Sequence, residues 1–270
     1  MSMKRKVYNP RPEYILTGRP NIDIWNQEYV INPFIDAESV YDSEEWKIML
    51  KFEILNKKLR VLEAGCGNGK LIKALYGLVE YICGIDFAIT GLKAIKEVIP
   101  EALVVQGDVR YLPYKNCSLD LILSWGVMEH FENFDDVDIV LKESHRCLND
   151  GGILIVSVPY LSLNRLFNPQ VVARRFASRI NWLRKIFKKG KKQFFQYEFT
   201  ISEFKKKIIK NNFKIKHYEL FWLDLGLRDD FRGLYPFVKY PIEFFSRIAQ
   251  FKKSVNFAFA AFMLFICQKI

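Results

Sequence analysis

The sequence predicts an α/β fold in which a mostly parallel sheet carries helices on both faces. Three observations lead there. From Arg60 onward, short apolar runs alternate with stretches whose apolar residues recur at helical spacing. The strand-like runs are near-continuously apolar, as strands covered on both faces must be. The first of them turns sharply into a helix through three glycines, Gly65, Gly67 and Gly69. With 270 residues, half of them hydrophobic and 15% aromatic, the chain can bury one large core and add a small lid.

In chain order, residues 1–45 are polar and proline-containing and are expected to be irregular. Asp42-Ser43 can cap a helix over Glu44–Leu55, where Trp46, Met49, Leu50 and Ile54 form an apolar stripe. Strand Arg60–Glu63, helix Lys70–Leu78, strand Tyr81–Asp86, helix Gly91–Val98 and strand Ala102–Gln106 follow. Strand Leu119–Ser124, helix Phe134–Leu148 and strand Gly152–Pro159 continue the alternation, with Gly151-Gly152 as a turn and Pro159 as a stop. It then lapses. Val171–Lys189 reads as a basic amphipathic helix, with Val172, Phe176, Ile180, Leu183 and Phe187 on one face. Thr200 is an expected N-cap for helix Ile201–Asn211, and strand Phe213–Trp222 follows. Val255–Cys267 is free of charge over only thirteen residues, short of the ~20 that span a membrane, so it is expected to be a buried strand.

Glycine tolerates positive φ and lets a ligand approach the backbone, while the following helix N-terminus offers unpaired N–H groups. The loop at residues 65–69 is therefore a nucleotide-type cradle. A dinucleotide fingerprint needs a third glycine where Lys70 stands, and a phosphate P-loop needs Ser or Thr where Leu71 stands, which weakens both phosphate readings. Asp86 ends the second strand, twenty-one residues after Gly65, where a carboxylate can accept from both hydroxyls of a ribose. The plainer alternative is an acid that caps a turn.

Glu63-x-Gly65-x-Gly67-x-Gly69, then Asp86, Gly107-Asp108-Val109, Leu112-Pro113-Tyr114 and Ser118-Leu119-Asp120-Leu121-Ile122 stand in an order that resembles the class I S-adenosylmethionine-dependent methyltransferases. The resemblance spans roughly residues 60 to 160 and is strongest to the broad "type 11" small-molecule group. It implies a Rossmann-like, seven-stranded, mostly parallel sheet with an antiparallel last strand, helices on both faces and helical lid inserts. It further implies a leading segment, residues 1–58, that covers the cofactor mouth, then a methyltransferase domain over 59–270 with inserts at about 160–198 and 223–254. S-adenosylmethionine is the implied cofactor. Its ribose would be held by Asp86 and its adenine by Phe87, Asp108 and the Val109 N–H; Glu63 would orient the glycine loop and reach the methionine moiety, and Gly65, Cys66, Gly67 and Gly69 would belong to the cofactor site. Trp125 would line the pocket.

The same pattern puts the acceptor near Ser124-Trp125-Gly126-Val127-Met128-Glu129-His130-Phe131. The protein's work is then to align the reacting atoms and exclude water, and a hydroxyl acceptor also gains from a base. His130 is the best placed of three histidines for that role; the alternative is that Glu129-His130 simply starts a helix. His145 and His217 read as structural. Enzymes that methylate nucleobase amines often carry Asn/Asp/Ser-Pro-Pro-aromatic after the fourth strand, and Ser124-Trp125-Gly126-Val127 does not fit that pattern; Ser157-Val158-Pro159-Tyr160 follows the fifth strand instead.

The net charge of +11 either calls for an anionic partner or reflects a generally lysine-rich composition. Leu161–Lys192 and Leu223–Lys253 combine apolar and basic residues. They suit a bulky apolar acceptor or peripheral contact with an anionic lipid surface, or else pack on the domain with a solvated basic face. Methyl transfer to a small-molecule or lipid- or glycan-linked acceptor at oxygen is the leading expectation, with sugars, lipid-carried glycans and quinone-like metabolites all open. RNA methylation and a non-catalytic cofactor-binding module are the alternatives, and nucleic acid is disfavoured. The opening Met-Ser-Met-Lys-Arg-Lys contains no apolar stretch, and five scattered cysteines form no CxxC pair. A cytoplasmic location without a metal is expected.

Overall fold

The computed structural model of the chain describes residues 5–8, 22–31, 38–163, 194–223 and 253–270. Seven strands form one sheet: β2 (Arg60–Ala64), β3 (Tyr81–Asp86), β4 (Leu103–Gln106), β5 (Leu119–Trp125), β6 (Leu148–Pro159), β8 (Phe213–Phe221) and β9 (Phe262–Lys269). Their spatial order is β4-β3-β2-β5-β6-β9-β8. The first five run parallel, and β9 lies antiparallel between β6 and β8. The Rossmann-like sheet with its antiparallel last strand is therefore present as expected.

Each central strand buries both faces, because successive side chains point to opposite sides. Val61, Leu121, Ile155 and Leu264 meet α3 (Glu44–Lys51), α4 (Lys70–Leu75) and α5 (Ile89–Val98) in one cluster. Leu62, Ile122, Val156 and Phe265 meet α6 (Asp136–Cys147) and α7 (Ile201–Lys210) in the other. Behind the sheet the buried Asp138 on α6 accepts from Lys207 Nζ at 2.7 Å and from Asn211 Nδ2 at 2.7 Å, tying α6 to α7. Both predicted caps form: Ser43 accepts from the Trp46 N–H, and Thr200 from the Glu203 N–H.

Several expectations need correction. Residues 1–45 are not uniformly irregular: β1 (Arg5–Tyr8) pairs antiparallel with β7 (Phe194–Glu198), and α1 (Ile22–Ile31) and α2 (Glu38–Tyr41) are helical. Pairing across almost two hundred residues supplies to β1 what its local sequence lacks. The first helix after the glycine loop stops at Leu75 rather than Leu78, with Gly77 at φ +79° just beyond. The helix from Glu44 stops at Lys51 rather than Leu55, where Glu53 turns left-handed at φ +49°. Val255–Cys267 is not all strand: α8 (Lys253–Phe259) comes first, and β9 begins at Phe262. Phe262 pairs with Pro159 and Phe221, the last residues of the two neighbouring strands. Upstream of it no ladder is on offer, and the backbone satisfies itself in a helix. The basic helix expected over Val171–Lys189, like most of both inserts, lies outside the described residues. No helix among the described residues is long and apolar enough to cross a membrane.

Candidate functional site

The loop between β2 and α4 is suspended from β3. The N–H groups of Gly65 and Cys66 both donate to the Ile85 carbonyl, at 2.8 and 3.1 Å, and the Gly67 N–H donates to Asp86 Oδ2 at 2.8 Å. Gly65, Gly67 and Gly69 all have positive φ. At Gly65 a side chain is excluded twice over, by φ +84° and by the Val127 methyl that a Cβ would strike. Gly91 is needed for another reason: a Cβ there would collide with the Gly67 carbonyl, so α5 packs directly on the loop.

Asp86 is buried, and its second oxygen accepts from the Ala88 N–H at 2.8 Å. Burial raises its pKa above the ordinary value, with the N–H donors opposing the rise. Glu63 is also buried, and burial together with the nearby Asp86 pushes its pKa well up. The Ile72 N–H in the first turn of α4 counters this, while Glu63 Oε2 finds no hydrogen-bond partner among the described residues. Cys66, buried near both acids, keeps its thiol protonated for the same reasons.

Asp108 is bound by Arg110, whose Nε reaches Oδ2 at 2.9 Å while its other arm reaches Asp136 on α6. Burial would raise the Asp108 pKa, but the Arg110 hydrogen bonds, the Arg110 backbone N–H and the guanidinium charge together hold it below the ordinary value. Arg110 also lies over the Phe131 ring at 5.5 Å.

After β5 the chain makes a left-handed turn at Gly126 and a single 3-10 turn over Met128–His130. Glu129 points inward: it is 2% exposed, its Oε2 has no hydrogen-bond partner among the described residues, and burial raises its pKa to about 8. His130 Nε2 lies 3.9 Å from Glu129 Oε1, and the His130 ring stands edge-on to Trp25 of α1 at 5.0 Å. Helix α1 is fixed over α5 by Asn26, which accepts from the Thr90 N–H at 3.1 Å and hydroxyl at 2.9 Å.

These parts enclose a cavity of about 690 Å³ at the carboxyl ends of β2 to β5, where ligands of open α/β sheets bind. Gly65, Asp86, Phe87, Asp108, Val109, Trp125 and His130 line it together. Glu63, Cys66, Gly67 and Gly69 do not line it; they form the strand end and turn on which Gly65 and Asp86 are mounted. His145 and His217 lie elsewhere, on α6 and the edge strand β8. Phe131, from the stretch expected near the acceptor, also lines the cavity, as do Trp25, Tyr29, Arg110 and Asp136, which the sequence did not single out. The i, i+4 spacing of Trp25 and Tyr29 was a usable helical signal, whereas nothing local ties Arg110 to Asp136. Among the described residues no cluster could hold a metal ion.

The methyltransferase-domain family matches residues 62–156. A protein of Encephalitozoon cuniculi named as a methyltransferase is 37% identical over 98 residues, covering 36% of this chain and 44% of that protein. One of Mycobacterium tuberculosis, named as an S-adenosylmethionine-dependent methyltransferase, is 30% identical over 99 residues, covering 37% of this chain and 35% of its own. The chain thus matches less than half the length of these relatives. A solved S-adenosylmethionine-dependent methyltransferase from Mesorhizobium loti shares the fold over 84% of this chain and 98% of its own, with a TM-score of 0.56 at 16% identity. Residues 62–156 thus match a methyltransferase domain, within a fold shared with a solved S-adenosylmethionine-dependent methyltransferase.

Proposed function

We propose that the chain transfers a methyl group from S-adenosylmethionine to oxygen of a small-molecule or lipid- or glycan-linked acceptor. The observation that carries this reading is the convergence of the glycine loop, Asp86 and His130 on one cavity. The residues fit the cofactor. Asp86 accepts one backbone N–H at each oxygen, so each keeps a lone pair for a ribose hydroxyl. Phe87 is exposed beside it and offers a flat face to adenine. Glu63 carries an oxygen with no hydrogen-bond partner among the described residues. Asp108 would share its carboxylate between Arg110 and the adenine amine, with the Val109 N–H alongside.

When bound, the cofactor supplies a methyl group already activated on sulfonium. The chain's own contribution is to orient both reactants, exclude water beneath α1, and take the acceptor's hydroxyl proton on His130. A leading segment that covers the cofactor mouth agrees with Trp25 and Tyr29 lining the cavity. The test is calorimetric titration of S-adenosylmethionine and S-adenosylhomocysteine into the wild type and Asp86→Ala. Saturable binding weakened tenfold or more, about 1.4 kcal/mol, is expected. No binding to a folded wild type would overturn the reading.

A further inference from the structure

The walls of the cavity divide by chemistry. Gly65, Asp86, Phe87 and Val109 sit at the ends of β2 to β4 or just after them, where the cofactor reading needs them. The other end is formed by α1, the turn after β5 and the start of α6. There the side chains are aromatic rather than aliphatic: Trp25, Trp125, His130 and Phe131, with Val127 as the exception. Flat aromatic walls gain from stacking beyond the area they bury, a gain a saturated ligand does not collect.

The charge at this end is opposite to that of the chain as a whole. Against a net +11, the described lining at this end carries Glu132 and Asp136 and meets one cation, Arg110, with Asp108 standing at the cofactor side. That guanidinium is shared between Asp108 and Asp136, at an edge where it also covers one face of Phe131. An anionic group entering here would meet an excess of carboxylate and a cation already spoken for. A cationic amine is disfavoured too, since neighbouring carboxylates hold on to the proton that it must lose to become a nucleophile.

We propose that this end of the cavity is a subsite for an uncharged planar aromatic compound bearing a hydroxyl group, set against Trp25, Trp125 and Phe131. The inference rests on the methyltransferase reading and narrows its acceptor. Trp25 is the specificity-determining residue, because it stands on α1, a separate helix, and meets the imidazole to which the hydroxyl would turn. Any anionic part of a larger acceptor would have to lie outside the cavity.

The full-length protein saturated with S-adenosylhomocysteine would be titrated calorimetrically at neutral pH with three probes of one shape. These are 2-naphthol, its carboxylated counterpart 3-hydroxy-2-naphthoate, and the saturated decahydro-2-naphthol. The naphthol should bind at least tenfold tighter than either of the others. Trp25→Leu should weaken the naphthol about tenfold more than it weakens S-adenosylhomocysteine, with an unchanged circular dichroism spectrum certifying the variant as folded. Equal or tighter binding of the carboxylate, equal binding of the saturated alcohol, or indifference to Trp25→Leu would each overturn the proposal while leaving the cofactor reading intact. Failure of S-adenosylhomocysteine itself to bind would instead overturn the cofactor reading, and this one with it.

Discussion

Glu129 keeps a proton at neutral pH because burial raises its pKa from 4.5 to about 8. The unfolded chain releases that proton near the ordinary value. Between the two values the folded state holds more protons than the unfolded state, so stability falls as pH rises and stops falling above about 8. Inside that window the slope is about 1.4 kcal/mol per pH unit. Glu45, raised to about 7 chiefly by burial, adds to the slope in the same direction. Glu129→Gln keeps the shape and removes the titration, so thermal unfolding at pH 5.5 and 7.5 should show a smaller loss of stability in the variant. Equal losses would mean that Glu129 ionises freely in the folded chain. Such behaviour is invisible in the sequence, where Glu129-His130 reads equally as the start of a helix. Asp86 was legible, by contrast, because glycine spacing and a strand end fix where its carboxylate must go.

Among elements, the pair α6–α7 offers the sharpest test of what holds the lower face together. Asp138 accepts from Lys207, Lys210 and Asn211, and Lys207 is itself 7% exposed over the Phe134 ring. Asp138→Ala would leave a buried ammonium without a counter-charge, at a cost of about 3–5 kcal/mol. Circular dichroism should record a large fall in Tm, and Lys207→Met placed on top of Asp138→Ala should recover much of it. No recovery would mean that the network acts through Asn211 alone. The sheet strands were legible as elements because apolar runs bounded by glycine and proline admit few readings. Helix α1 was not: its segment lies among prolines, and its position depends on Asn26 meeting Thr90 and Trp25 meeting His130, contacts more than sixty residues away in sequence. Helix α8 was missed for a similar reason, since where β9 begins is set by where β6 and β8 end.

For the whole molecule, the excess of positive charge lies away from the described cavity lining, where acids outnumber the single arginine. If that excess meets an anionic surface, sedimentation with anionic phospholipid vesicles should fall steeply between low and high salt while S-adenosylhomocysteine affinity stays unchanged. Absence of sedimentation at low salt would leave the basic surface merely solvated. The sheet order has a further bearing on how the protein is made. Strand β6 is complete at Pro159, yet its outer neighbour β9 begins only at Phe262, and β8 reaches the sheet only through β9. A ribosome adding about 5–20 residues each second thus leaves the apolar flank of β6 uncovered for several seconds. During that interval the nascent chain presents a long unpaired border, the kind of surface that recruits trigger-type chaperones or sticks to a neighbouring polysome product. Slowing translation across residues 160–261 should cost soluble yield more than slowing it anywhere before β6.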